Sequence, residues 1–168
     1  MKKRFLVLFT ALFLAASGFS IEKTLISYEP FFLNMKATDG ENVYRDSAQQ
    51  WVGFHTAGIW DKASVHVGIV GFFSSESLDL GFNLVNNNYV TWSIGVRGMS
   101  VGFKYFGLGA STNLDVQIPL SEKFGINVGT GCAFVWWPTG MNVEGATQSD
   151  GTIVSLDFTP RVGIVLYF

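Results

Sequence analysis

Residues 154–168 read VSLDFTPRVGIVLYF, and their parity decides the fold. Val154, Leu156, Phe158, Pro160, Val162, Ile164, Leu166 and Phe168 take one set of alternate positions, interleaved with Ser155, Asp157, Thr159, Arg161, Gly163, Val165 and Tyr167. A period of two held over this length is that of a β-strand with one apolar and one mainly polar face. The split recurs upstream. Phe124, Ile126, Val128, Cys132, Phe134 and Trp136 oppose Gly125, Asn127, Gly129, Gly131 and Ala133, while Leu114, Val116 and Ile118 oppose Asn113, Asp115 and Gln117. Val90, Trp92, Ile94 and Val96 oppose Thr91, Ser93, Gly95 and Arg97, and Leu78, Leu80, Phe82 and Leu84 oppose Ser77, Asp79, Gly81 and Asn83. No helical stripe competes with this pattern after Ser20.

Turn signals divide the chain into about eight such segments, near 24–36, 49–60, 63–73, 77–86, 89–103, 107–119, 123–136 and 152–168. Asp61-Lys62, Asn86-Asn87-Asn88 and Ser121-Glu122 read as tight turns, and residues 37–48 and 137–151 as longer loops. Met99, Val101 and Phe103 reverse the phase of the segment before them, so a bulge or turn is expected between Gly98 and Gly109.

Composition restricts where such a chain can live. Of 168 residues 48% are hydrophobic and only 14% charged, against about 25% charged in a soluble domain. With 5 Trp, 5 Tyr and 16 Phe the chain has ample apolar mass for a stable fold. Lys and Arg number 11 against 13 Asp and Glu, so no basic excess exists to track nucleic-acid phosphates. The single cysteine, Cys132, excludes an intrachain disulfide framework and a thiolate metal site.

Residues 1–20 read as an export signal: Lys2, Lys3 and Arg4, then the apolar run Phe5 to Ala16, then Gly18 and Ser20 as small residues before a cut at Ser20/Ile21. Ala16 and Gly18 permit a cut two residues earlier. No cysteine lies nearby to carry an acyl anchor. Cleavage after Ser20 would remove three basic residues and no acidic one, leaving a barrel domain 21–168 with a formal charge of −5. Beyond the signal no apolar run reaches the length of a spanning helix.

Two architectures fit the alternation. A soluble barrel or sandwich would expose its polar faces and furnish them with Lys and Glu. Here those faces are mostly Gly, Ser, Thr and Asn with isolated charges of both signs. Such residues suit the cramped interior of an eight-stranded barrel, with the apolar face toward lipid. Trp51, Trp60, Trp92, Trp136, Trp137, Tyr89, Tyr105 and Tyr167 fall toward strand ends, where aromatic girdles sit. Unpaired backbone in hydrocarbon costs several kcal/mol per group, so first and last strands should pair. The expected fold is all-β: a closed antiparallel up-and-down transmembrane β-barrel of about eight strands, preceded by a cleavable signal peptide.

In these features the chain resembles the small eight-stranded bacterial outer-membrane proteins of the OmpA-domain, OmpX and OmpW kind, over all of Ile21 to Phe168. The most specific element is the terminal VGIVLYF. In that class a last strand ending in an aromatic residue, with apolar residues at alternate positions before it, is the signal read by the barrel-assembly machinery. Val162, Ile164, Leu166 and Phe168 fit it, and Pro160 departs from it. The resemblance implies a monomer in the bacterial outer membrane, with membrane lipids and the assembly machinery as partners.

Function is less legible. Some such barrels are lipid-modifying enzymes using Ser and His, which draws attention to His55, Ser64 and His66. No carboxylate orienter is identifiable, and the reading is that the histidines are lumen side chains and that there is no catalysis. No phosphate loop, metal motif or cofactor site is recognised: Asp39-Gly40-Glu41 lacks calcium-loop spacing. Asp79, Arg97, Asp115, Asp157 and Arg161, with Glu29, should share the lumen, and lone charges there are costly, so a paired network plugging the barrel is expected. The rival is a water-filled path. Pro30 and Pro160 lie on the first and last strands at comparable depth, and neither can donate a ladder hydrogen bond, so a weak seam could pass small or hydrophobic molecules sideways, as proposed for OmpW-like barrels. A third reading is surface interaction through loops 37–48 and 137–151, whose Asp39, Glu41, Arg45, Asp46, Glu144 and Asp150 make polar tips for an extracellular partner.

Overall fold

The computed structural model describes residues 21–39, 42–71, 75–101, 105–137 and 153–168, so the signal segment and most of loop 137–151 lie outside the described residues. Ten β-segments run in chain order: β1 Lys23–Tyr28, β2 Phe31–Asp39, β3 Asn42–Gln50, β4 Gly53–Ile59, β5 Ala63–Val70, β6 Ser75–Asn86, β7 Val90–Val101, β8 Tyr105–Pro119, β9 Phe124–Trp137 and β10 Ile153–Tyr167. All neighbouring pairs are antiparallel. The sheet order is β1-β4-β5-β6-β7-β8-β9-β10-β2-β3, with β1 also paired to β10, which closes the ring.

The ten segments build eight wall strands, because β1 with β2 and β3 with β4 are each one strand interrupted. Across the first interruption both halves keep the same register on β10: Tyr28 faces Val162 and Phe32 faces Phe158. Across the second, Tyr28 pairs Phe54 and Phe31 pairs Gln50, leaving Glu29 and Pro30 opposite three residues, 51–53. That extra residue is a bulge beside Trp51.

Following one row of partners round the wall gives the stagger. The row runs Ala57, His66, Asp79, Arg97, Gly109, Val135, Ser155, Met35 and arrives at Asp46, eleven residues up the strand it left. Discounting the bulge residue, the shear is ten. Such a stagger tilts the strands by roughly 35–45° and fixes a narrow bore.

The turns form where the side chains can cap them. Trp60 N bonds Ala63 O at 2.9 Å around Asp61-Lys62, and Asn87 Oδ1 accepts from both Tyr89 N and Val90 N at 2.9 Å. Gly71, at φ 60°, turns the chain after β5 in a conformation other residues resist.

Parity sorts the side chains as the alternation requires. Leu80, Phe82, Ile94, Leu108, Phe134 and Leu156 stand on the outside, each about half exposed (46–60%). A continuous apolar exterior of this extent is a surface for lipid rather than water.

Three expectations need correction. Residues 37–48 are not a loop: β2 and β3 stay paired out to Asp39 and Asn42. Most described β3 residues are exposed on both faces, because the hairpin rises past the short β5, and a strand wet on both faces has no reason to alternate. Of the bulge or turn expected between Gly98 and Gly109 the ladder bears out the turn and not the bulge: β7 and β8 pair antiparallel without a break from Val90–Val116 to Val101–Tyr105, and the sheet's irregularity lies between Asn83 and Val85 of β6. Met99 and Val101 keep their parity, and it is the interior that turns apolar there. Finally, Trp137, Tyr105 and Tyr167 leave the girdle: Trp137 is 2% exposed, and the two tyrosines pack against interior clusters.

Ile94→Arg puts a charge on the lipid face of β7. It is expected to lower unfolding stability in phospholipid vesicles by about 2–4 kcal/mol, measured by urea titration of tryptophan fluorescence, whereas Ile94→Leu should leave it near the wild-type value.

Candidate functional site

The lumen is the one enclosed space the described strands create, and it is layered. Toward the β2–β3 end lies an apolar layer of Phe31, Leu33, Met35, Met99, Val135, Trp137 and their neighbours. A smaller apolar layer of Leu25, Ala57, Ile59 and Val165 lies toward the chain termini. Charged and amide side chains fill the middle.

The middle layer is organised by two guanidiniums. Arg97 and Asp79 are direct cross-strand partners, and Arg97 grips Asp79 in a fork, Nε to Oδ1 and Nη2 to Oδ2 both at 2.7 Å. Its third nitrogen lies 3.9 Å from Asp157 Oδ2. Arg161 pairs with Glu29 at 3.5 Å and with Asp115 at 3.8 Å. It also donates to His55 Nε2 at 2.7 Å and to Asn113 Oδ1 at 2.9 Å. Asn113 in turn donates to Asp79 Oδ2 at 3.2 Å, joining the two halves into one network.

The structure thus brings Asp79, Arg97, Asp115, Asp157 and Arg161 into one buried cluster, with Glu29 as a sixth charged member. Asp157 and Arg161, four apart on β10, do not pair with each other; each is met by a guanidinium or carboxylate from another strand. Four carboxylates face two guanidiniums, so neutral donors carry part of the load. Asn127 Nδ2 bonds Asp115 Oδ1 at 3.0 Å, and Ser155 Oγ bonds Asp157 Oδ1 at 2.9 Å while accepting from Trp137 Nε1 at 3.0 Å. That last chain ties the apolar layer to the charged one. Nearer the termini, Lys23 Nζ donates to Thr91 Oγ1 at 2.9 Å and to Asn87 O at 2.6 Å, and Gln117 joins the same hydroxyl.

Glycines make the network fit. A methyl group on Gly131 would stand 2.6 Å from Thr159 Oγ1 and 2.8 Å from Asn113 Oδ1, and one on Gly68 would stand 2.9 Å from Glu29 Oε1. Their bare faces are the room the charged side chains occupy.

His55 and His66 lie side by side, Nε2 to Nδ1 at 3.1 Å. A guanidinium can only donate, so His55 Nε2 accepts from Arg161 and its proton sits on Nδ1. Ser64 Oγ and His66 Nε2 each lack a hydrogen-bond partner among the described residues, so they do not form a nucleophile bonded to its base. Among the described residues no group of three or more His, Cys, Asp or Glu is placed to hold a metal.

Pro30 and Pro160 meet across the seam. The register that sets Tyr28 against Val162 and Phe32 against Phe158 sets the two prolines opposite each other. The pairing of the first and last strands stops for three residues on each, 29–31 and 159–161. Glu29 and Arg161 are the opposed neighbours of the prolines, and their ion pair spans the gap from inside the lumen.

The apolar layer is the main feature that sequence reasoning missed. Its signal was present in Phe31-Phe32-Leu33 and Trp136-Trp137, runs in which both parities are apolar. Such runs mark a strand buried on both sides.

A closed ring, a lipid-type exterior and a filled interior are now all in place. The chain is a small eight-stranded barrel of the outer-membrane type. No protein-family model matches it, and no curated protein matches it. Among solved structures it is similar to the outer membrane protein OprG from Pseudomonas aeruginosa, at 12% identity over 88% of this chain and 96% of that one, with a TM-score of 0.44. It is also similar to Neisserial surface protein A, at 10% identity over 85% and 97%, TM-score 0.41. The outer membrane protein AlkL, solved in DMPC bilayers, is similar at 11% identity over 88% and 90%, TM-score 0.40. The fold assignment rests on the ladders and the apolar exterior, not on these likenesses.

Arg97→Met leaves Asp79 and Asp157 buried without their guanidinium and is expected to cost about 3–5 kcal/mol, the penalty for breaking a buried pair from one side. The double variant Arg97→Met, Asp79→Leu should recover much of that loss. Urea unfolding of both variants in vesicles measures the difference.

Proposed function

We propose that this chain is an exported protein of the bacterial outer membrane whose barrel is a sealed scaffold, serving membrane structure or presenting its outer hairpin and loops to a partner at the cell surface. The observation that carries this reading is the filled lumen: a forked Arg97–Asp79 pair, the Arg161 cluster and the apolar layer above them occupy the bore in succession. Side chains locked to one another leave no column for ions. The rigid wall and the β2–β3 hairpin rising beyond β5 suit a surface role, for which loop 137–151 would supply further contact. Residues 1–20 act as the cleaved signal in this reading, and Val162, Ile164, Leu166 and Phe168 as the element handed to the assembly machinery. The protein is monomeric, needs no cofactor and performs no catalysis.

Refolded protein in planar bilayers tests the seal. It should give no steady ohmic conductance, whereas Arg97→Ala with Arg161→Ala, which empties the middle layer, should leak. A stable wild-type channel would remove the scaffold reading.

A second reading is favoured by one specific observation, the opposition of Pro30 and Pro160. Where the ladder pauses, a small hydrophobic molecule held by the apolar layer could leave sideways into the bilayer. Pro30→Val with Pro160→Val restores both donors. It should slow uptake of an apolar fluorescent probe while heat-modifiable gel mobility, the sign of assembly, stays unchanged. Equal uptake by the variant and the wild type would eliminate this route.

A further inference from the structure

Lys36 and Arg45 are directly opposed across the β2–β3 hairpin. Their shared face is settled by parity: Phe31, Leu33, Met35 and Ala37 point inward and are buried, so Lys36 points outward, and its cross-strand partner Arg45 points with it. Both side chains are exposed. Like charges at directly opposed positions destabilise a hairpin. The described outward positions beside them, Asn34, Thr38, Val43, Ser47 and Val154, carry no carboxylate. Asp46 belongs to the other face, opposite Met35.

Depth gives the pair a second meaning. Four residues below Lys36 on β2, Phe32 packs edge-on against Trp51 with centroids 5.5 Å apart, and lies 6.4 Å from Phe158. On the β2–β3 hairpin the outward positions next above that aromatic group are Asn34 and Ser47, while Tyr28, Phe54 and Phe158 lie at its level or below and Leu156 of β10 stands opposite Asn34. The aromatic group has the place and chemistry of an interfacial girdle. Lys36 and Arg45 then stand about 13 Å farther along the tilted strand, at the level of lipid headgroups and facing them.

We propose that Lys36 and Arg45 form a two-pronged site for a phosphate carried by a lipid of the outer leaflet. A phosphomonoester seated between them would neutralise a repulsion the hairpin otherwise carries, and would fix the hairpin against the membrane. Arg45 supplies a fork for two phosphate oxygens and Lys36 a point charge. The inference rests on the membrane orientation proposed above, with the termini inside and the hairpin at the outer rim.

The test uses the full barrel refolded into nanodiscs of phosphatidylcholine alone, or doped with a bis-phosphorylated glucosamine-disaccharide lipid, with lipid retention read by native mass spectrometry after detergent release. Wild-type protein should retain the phosphorylated lipid, and Lys36→Gln with Arg45→Gln should weaken retention about thirtyfold, the sum of two interfacial cations. The charge-conserving swap Lys36→Arg with Arg45→Lys should retain most of it. Equal retention by the Gln pair overturns the site, as does wild-type retention no better than that of phosphatidylcholine. Displacement of the lipid by millimolar inorganic phosphate would show a free-anion site instead and would also overturn it. A barrel that fails to enter nanodiscs at all counts against the membrane reading, and so is told apart from failure of the site.

Discussion

An eight-stranded wall with a shear of ten leaves a bore that only side chains can fill, and the rest of this structure depends on that constraint. In hydrocarbon the wall must close, since open edges would strand backbone donors and acceptors. Closure fixes the bore, and the bore then has to be packed at close to the density of a protein core. The inward positions satisfy this with small residues where the network is crowded, as at Gly68 and Gly131, and with long charged ones where partners converge. Gly, Ser, Asn and Arg on one parity are therefore one solution to a volume problem.

The filling is not uniform, and its layering follows from the cost of buried charge. Charges sit in the middle, where partners reach them from several strands: Asp79 from β6, Arg97 from β7, Asn113 and Asp115 from β8, and Asp157 and Arg161 from β10. An apolar layer lies beyond the network toward the β2–β3 end, and a smaller apolar cluster on β1, β4 and β10 flanks it toward the termini. Buried as it is, a fork such as Arg97–Asp79 is electrostatically strong but also obligatory, because neither partner can be left alone.

How much of this could be read from the chain differs by residue. The wall was legible wherever a strand is wet or polar on one face and apolar on the other, as in 154–168, 113–118 and 77–84. It failed in two physical situations. Residues 42–50 form a strand whose described side chains are mostly exposed on both faces, so no apolar rhythm marks it. Met99, Trp137 and Ile153 sit on the inward parity yet are apolar, so a rule equating the inner face with polarity misreads them as a slip in phase or as girdle. The charged members of the network could be named because charge on the inner parity is rare enough to notice. Which of them pair could not, since Asp157 meets Arg97 and not Arg161, a choice made by the stagger of the wall, which no single strand encodes.

The seam joins the two halves of this reasoning. Pro30 and Pro160 face each other on the first and last strands and take two donors out of the ladder at one level. Elsewhere a missing ladder bond is hidden among intact neighbours; here both strands lose it together. The residues next to them in sequence, Glu29 and Arg161, turn inward and pair across the same gap. Arg161 is in turn held by His55 from β4 and by Asn113 and Asp115 from β8. At this level the first and last strands are joined from inside the lumen by the Glu29–Arg161 ion pair, while β10 stays paired with β9. The two readings proposed above therefore turn on the same residue, because Arg161 both belongs to the buried network and pairs across the gap in the ladder.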